Sequence, residues 1–490
     1  MVIHIPMRRC VAIALCATAC TVGPDYTKPT AQIPQSFKEG VEWERARANP
    51  QGSLSSDWWL AYRDEQLQRL VEQSLQANQS IAEAEAAYRL ARATVAANVA
   101  GLYPTLGAGA SITRSGTGSG LAVGPTEQSL QPAFTTDLTA SWELDLWGKV
   151  RREIQSSKET AQATDAELAG ERLSIAASVA DDYFALRQAD IDVDLLKQQR
   201  DIDARLLAMM QANYAQGTAS SDDVQMAQDT LEAAIAALQS TETSREQDEH
   251  AIAVLINVPP TNFSIAPRLD YAFITPAIPL SLPSQLLERR YDVVSAERTA
   301  AAANANIGVA IAAFYPTLDL SAEAGFGSNM LPQLFSLPNR FWTLGPSLAT
   351  TLFEGGARTA AVREARATYD EEVANYRQTV LAAFQSVEDT LSSLNHLGQQ
   401  EQAFAGVYRG NQRLFGSQQV QFTIGVASQQ NVLTQQLTLL QAEQSLKDTQ
   451  AFLTQGSVTL IKDLGGGWQW NQPRNMTVTS ANAASGSPVR

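Results

Sequence analysis

The chain states one long pattern twice. Tyr103-Pro104-Thr105-Leu106 recurs as Tyr315-Pro316-Thr317-Leu318, and Gly217-Thr218-Ala219-Ser220 with Val224 recurs as Gly425-Val426-Ala427-Ser428 with Val432. The offsets are 212 (315 − 103) and 208 (425 − 217), so the order of elements is shared while loop lengths drift. Solenoid repeats recur every ~20–50 residues. A period this long marks a duplicated half-molecule instead.

Each half contains two segments of period-two hydrophobicity. From Phe134 to Leu146, Phe134, Leu138, Ala140, Trp142, Leu144 and Leu146 are apolar, whereas Asp137, Thr139, Ser141, Glu143 and Asp145 are polar. Leu318, Leu320, Ala322, Ala324 and Phe326 alternate likewise with Asp319, Ser321, Glu323, Gly325 and Gly327. Weaker alternation runs over 105–113 and 342–352. Such runs are strands with one apolar face, long enough to cross a membrane. If the even positions face lipid, then Asp137, Glu143, Asp145, Asp319 and Glu323 face a lumen. Four strands cannot close a barrel, because every edge in lipid needs a partner. The chain therefore shares a barrel with its own copies, or the strands form a soluble sheet.

Between these strand pairs the pattern is helical. No proline interrupts the chain between Pro132 and Pro259, or between Pro346 and Pro473. Lys149 to Tyr214 predicts a single helix of about 99 Å at 1.5 Å per residue. Ile154, Ala161, Leu168 and Ile175 fall at heptad spacing, and Val179, Leu186 and Val193 continue it after a shift of four. Gly217 and Gly425 predict hairpin tips, where glycine takes the positive φ that ends a helix.

Composition narrows the function. A formal charge of −15 over 490 residues lacks the basic excess of a nucleic-acid partner. With 44% hydrophobic but only 7% aromatic residues, the chain favours long packed helices over sandwich cores. His250 and His396 sit in no metal-ligand spacing, and Gly465-Gly466-Gly467 lacks the Lys and Ser or Thr of a phosphate loop. Enzyme chemistry, metals and bound cofactors are thus not expected. Arg8 and Arg9 precede an apolar run from Cys10 to Ala19, too short for a membrane helix and suited to a signal peptide. Ala17-Thr18-Ala19-Cys20 resembles the bacterial lipoprotein box, which predicts a covalent lipid on Cys20. Ordinary cleavage after an A-x-A site is the alternative.

Further residues carry a family resemblance. Leu282-Pro283-Ser284-Gln285-Leu286-Leu287-Glu288-Arg289-Arg290, then Asp292, Ala296-Glu297, Ala302-Ala303-Asn304-Ala305, Ile307-Gly308 and Phe314-Tyr315-Pro316, resemble the signature of the NodT and OprM type of TolC-like outer-membrane efflux lipoproteins. Cys20 with Val22-Gly23-Pro24-Asp25-Tyr26 and Pro29 resembles their N-terminus; Tyr291 stands where the family usually has proline. The resemblance implies an α+β membrane protein built from two repeats. Its parts would be a long α-helical coiled-coil barrel and a transmembrane β-barrel shared by a homotrimer. It further implies docking to a periplasmic adaptor and an inner-membrane RND-type transporter, with outer-membrane lipid around the barrel.

The organisation expected is a signal peptide over 1–19, a lipidated segment and belt over 20–58, repeats over 59–258 and 284–464, a Pro-rich connector over 259–283, and a flexible tail over 465–490. By resemblance, gate residues that narrow the periplasmic aperture map onto Gln430, Asn431 and Thr434, with Asp223 matching in the first repeat. Ala427 replaces an arginine that some relatives use as a charged latch. The function expected is a passive exit duct of a tripartite efflux pump. A non-conducting periplasmic scaffold lipoprotein and a duct for type I protein secretion are the alternatives.

Overall fold

The computed structural model describes residues 21–34, 36–40, 56–115, 131–278 and 289–467. The export segment, Cys20, the motif residues Leu282 to Glu288 and positions 468–490 of the expected tail lie outside the described residues.

Helices α1 (Glu65–Ala77) and α2 (Gln79–Ala100) lead into strands β1 (Thr105–Ser115) and β2 (Gln131–Glu143). The long helices α3 (Lys149–Ala215) and α4 (Ser221–Leu255) follow. The second half repeats this with α5 (Tyr291–Ala312), β3 (Thr317–Ser328), β4 (Arg340–Ala349), α6 (Ala357–Thr423) and α7 (Gln429–Asp463). Both α3 and α6 have 67 residues, and both α4 and α7 have 35. Their starts are offset by 208 (357 − 149 and 429 − 221), so the duplication read from the tip glycines holds over both hairpins. At 1.5 Å per residue α3 and α6 each span about 100 Å.

Helix α3 is the spine. It packs against α1, α2, α4, α5 and α7. The expected heptad positions Ile154, Ala161, Leu168, Ile175, Val179 and Leu186 are buried, and Val193 is half-buried. Helix α6 buries a shorter seam, in which Tyr376 and Ala383, then Val380, Val387 and Leu394, recur at sevens. Beyond that seam its ends stay exposed in the isolated chain.

The four strands form one antiparallel sheet in the order β1-β2-β3-β4, so the two halves join through the β2–β3 ladder. Strand β2 stops at Glu143, three residues short of the expected end at Leu146. The reason is local. The Asp145 carboxylate accepts from Val150 N at 3.2 Å and Arg151 N at 3.0 Å, and it caps the start of α3 after Gly148 at φ +82°. Glu354 accepts from Arg358 N at 3.0 Å beside Gly356 at φ +92°, repeating the device at α6. At the other end, Gly465 and Gly466 are buried at φ +85° and +57°, with Gly466 N donating to Ile461 O at 2.8 Å. These glycines close α7 against Arg289 and Leu173. The packed unit therefore includes the first residues of the expected tail.

Candidate functional site

Pairing across the sheet decides which residues share a face. Leu106 pairs with Ala140, which pairs with Ala322, which pairs with Leu344; Ala108, Leu138, Ala324 and Trp342 form the next row. One face is thus apolar across all four strands, and Leu106, Ile112, Leu138, Trp342, Leu344 and Leu348 are largely exposed on it. The opposite face holds Asp137, Glu143, Asp319 and Glu323. Glu143 stands directly across from Asp319, a like-charge pairing that costs stability. Lys149 Nζ, 3.4 Å from Glu143, offsets it. Asp137 lies between Gly109 and Gly325, where a Cβ at Gly109 would come within 2.9 Å of its carboxylate. Asp145 does not join this set. It lies past the strand, ion-paired to Arg151 at 3.0 Å, because the turn into α3 needs its carboxylate as a cap.

Aromatic residues mark the boundary between strands and helices. Trp142 Nε1 donates to Leu102 O at 3.0 Å, and Trp147 Nε1 donates to Pro316 O at 2.8 Å. Trp147 also stacks on Tyr315 with centroids 4.7 Å apart. Such amphipathic rings favour the membrane–water interface. From this belt an N-terminal strap runs down the helices. Val22 N donates to Trp147 O at 3.1 Å, and Arg152, only 4% exposed, donates to Val22 O, Gly23 O and Asp25. Farther on, Asn304 donates to Pro24 O, Tyr26 Oη to Glu297 at 2.5 Å, and Arg377 to Thr30 O. Thr21 packs on Gly148 at the belt itself.

The tips repeat with one chemical difference. Gly217 and Gly425 turn the chain at φ +74° and +76°. Ser220 Oγ accepts from Asp223 N at 3.1 Å while the Asp223 carboxylate accepts from Ser220 N at 2.8 Å, a reciprocal capping box. These bonds hold the Asp223 carboxyl below its ordinary pKa. In α7, Ser428 Oγ accepts from Asn431 N at 3.2 Å, and no acid returns the bond. Gln430, Asn431 and Thr434 are exposed on the first turns of α7, and among the described residues Asp223 bonds to Ser220 whereas Asn431 bonds to Ser428.

Two polar clusters inside the helical body were not legible in the sequence. Fully buried Arg187 donates to Asp190 at 2.7 Å, to Ala266 O and to Gln66, and Asp190 also accepts from Arg245 Nε at 2.7 Å. This cluster fixes the connector and α1 onto α3. Between α3 and α7, Asp192 faces Asp448, which accepts from Gln188 at 2.9 Å. Burial first, then Asp448, push the Asp192 carboxyl up to about 7. Any helix carries polar residues, and only packing separates these from a solvated face. His250 and His396 are exposed on α4 and α6. No group of acids, histidines or cysteines among the described residues could hold a metal ion.

The profile of the outer membrane efflux protein family matches residues 70–258 and 282–466, one match to each repeat. The solvent efflux pump outer membrane protein SrpC of Pseudomonas putida is 30% identical over 459 residues, spanning 92% of this chain and 96% of the relative. The antibiotic efflux pump outer membrane protein ArpC of Pseudomonas putida is 28% identical over 451 residues, 92% of this chain and 93% of the relative. The solved outer-membrane channel OprN superposes with a TM-score of 0.81 at 28% identity, covering 92% of this chain and 100% of that one. With its duplicated hairpins, its membrane-length sheet and these likenesses, the chain belongs to the outer membrane efflux protein family, whose members are exit channels of the outer membrane.

Proposed function

We propose that three copies of this chain form a lipid-anchored duct that passes small organic molecules from the periplasm to the exterior. The observation that supports this most directly is the sheet. It has 10 to 13 residues in each strand, one apolar face, and two unpaired edges, β1 and β4. In hydrocarbon an open edge leaves backbone groups without partners, at several kcal/mol for each group. Because the strands alternate in direction, β4 of one protomer runs antiparallel to β1 of the next, and the ring closes without a mismatch. The face with Asp137, Glu143, Asp319 and Glu323 then lines the pore. The helical hairpins extend this lumen into the periplasm, where their tips meet a periplasmic adaptor and, beyond it, an inner-membrane RND-type transporter that supplies the energy.

Cys20 carries the lipid in this reading. The strap begins at the aromatic belt, with Thr21 against Gly148, and the residue that precedes Thr21 in the sequence is the cysteine that would bear the acyl chain. The relatives' names refer to solvents and to antibiotics. A duct common to such different cargo leaves selection to the pump. Planar-bilayer recordings of the purified protein test the duct: stepwise conductance is expected, and a trimer that inserts but never conducts would leave a scaffold. Labelling with a fatty acid analogue tests the anchor. The label should vanish in Cys20→Ser, the mature chain having no other cysteine.

A further inference from the structure

Charge is segregated across the sheet. Every acid on the four strands stands on the polar face, whereas their only cations, Arg114 and Arg340, stand on the apolar face. Parity places them: Arg114 pairs with Pro132 in the apolar rows of Ile112 and Phe134, and Arg340 pairs with Phe326. Both are at the end of the sheet remote from the helices, Arg114 one residue before β1 ends and Arg340 as the first residue of β4. Both are exposed, and neither guanidinium has an ion pair among the described residues. The outer loop over 329–339 contains no charge, so nothing there neutralises Arg340.

An arginine facing lipid is tolerated near the interface, and it seeks an anion there. Beneath Arg340, on the same face, Ala108 and Ala324 leave a hollow of about 510 Å³ walled by Leu138, Trp342, Phe326 and Phe335. Phe335 folds back from the loop onto Phe326, centroids 5.7 Å apart, and closes the upper wall. A guanidinium above an apolar hollow is complementary to an amphiphile: the guanidinium fork pairs bidentately with a phosphate, and an acyl chain fills the hollow. Closing the barrel sets the edge strand bearing Arg340 beside the edge strand bearing Arg114 of the partner subunit. Each seam therefore offers two separated guanidiniums at one rim, enough for two phosphates.

We propose that the outer rim of each seam between protomers binds an outer-leaflet glycolipid with two phosphates and several acyl chains, its phosphates on Arg340 and on Arg114 of the partner subunit and one chain in the hollow. This rests on the reading of the sheet as part of a closed outer-membrane barrel. Bound lipid would bridge two protomers across the seam.

The test is titration of the purified trimer, by native mass spectrometry, with a bisphosphorylated hexa-acyl glucosamine glycolipid, with the same glycolipid stripped of phosphate, and with phosphatidylglycerol. Saturable binding of the intact glycolipid is expected, weaker by roughly tenfold or more for the other two lipids, because each loses charge-assisted bonds. Arg114→Gln with Arg340→Gln should lose the same affinity. Ala324→Trp should lose it too, by filling the hollow while both guanidiniums remain. Unchanged affinity in the double variant, or phosphatidylglycerol binding as tightly as the glycolipid, would overturn the proposal. Conductance is recorded on the same samples: a wild-type trimer that conducts without preferring the glycolipid overturns the lipid site alone, whereas one that does not conduct overturns the duct beneath it.

Discussion

The ring of Tyr291, in the first turn of α5, occupies the space above Gly170 of α3. A Cβ on that glycine would overlap the ring at Cδ2, Cε2 and Cγ. Tyr291 is also the first residue of its helix, the position where proline is over-represented. The departure from the family's usual proline therefore leaves the helix start intact and adds a ring that only a glycine can receive. Gly170→Ala should destabilise the folded chain by roughly 1–3 kcal/mol through overpacking. Tyr291→Ala should relieve that cost, so a double-mutant cycle on thermal unfolding will show strong coupling. Additive effects would mean that the two sites are independent.

The carboxyl pair between α3 and α7 predicts a pH dependence. Asp192 lies against Asp448 and Gln444, and Asp448 against Gln188. With its pKa raised by burial from 3.8 to about 7, folded Asp192 keeps a proton that the unfolded chain releases. This contribution is full below the unfolded value and is lost as pH rises through the folded one. Melting temperature should accordingly fall between pH 4 and pH 7, and Asp192→Asn should make that fall smaller by the share Asp192 contributes beside Asp181, Asp182 and Asp248, whose pKa values burial also raises. The variant should gain stability at pH 8 and change little at pH 4. A lower melting point of the variant at pH 8 would refute the assignment.

Ion selectivity tests the polar face of the sheet. Asp137, Glu143, Asp319 and Glu323, repeated around a trimer, make acidic rings that favour cations. Reversal potentials under a salt gradient should show cation preference, reduced in Asp319→Asn with Glu323→Gln. Anion preference in the intact channel would contradict the inward placement.

The tips predict a gate built from neutral bonds. With Asn431 in place of the first repeat's Asp223, the second tip has hydroxyl and amide groups alone near its start, each hydrogen bond worth about 1 kcal/mol net. Opening should depend weakly on salt and pH, and Asn431→Ala with Thr434→Ala should raise single-channel conductance. In Asp223→Ala the first turn of α4 should fray, visible as faster amide exchange, because its capping box is lost. Unchanged conductance in both variants, together with lost adaptor binding, would make these residues a docking surface.

Features that a local period encodes were legible in the chain alone. Alternation at two and recurrence at seven depend on neighbouring residues alone, so the strands, the long helices from Lys149 and the tips at Gly217 and Gly425 were readable, and duplication confirmed them twice. The motif around Arg289 and Asp292 added the family. The remaining features depend on long-range packing. Asp145 continues the alternation of β2 perfectly, yet the start of α3 takes its carboxylate, because a helix end with bare N–H groups outcompetes one more strand pair. Arg187, Asp190, Asp192 and Asp448 read as ordinary polar helix residues until packing removes water from them. Arg114 and Arg340 lie 226 residues apart (340 − 114), and their common face appears only when four strands are set in register. Such relationships join distant parts of the chain through burial and pairing, which no local period can specify.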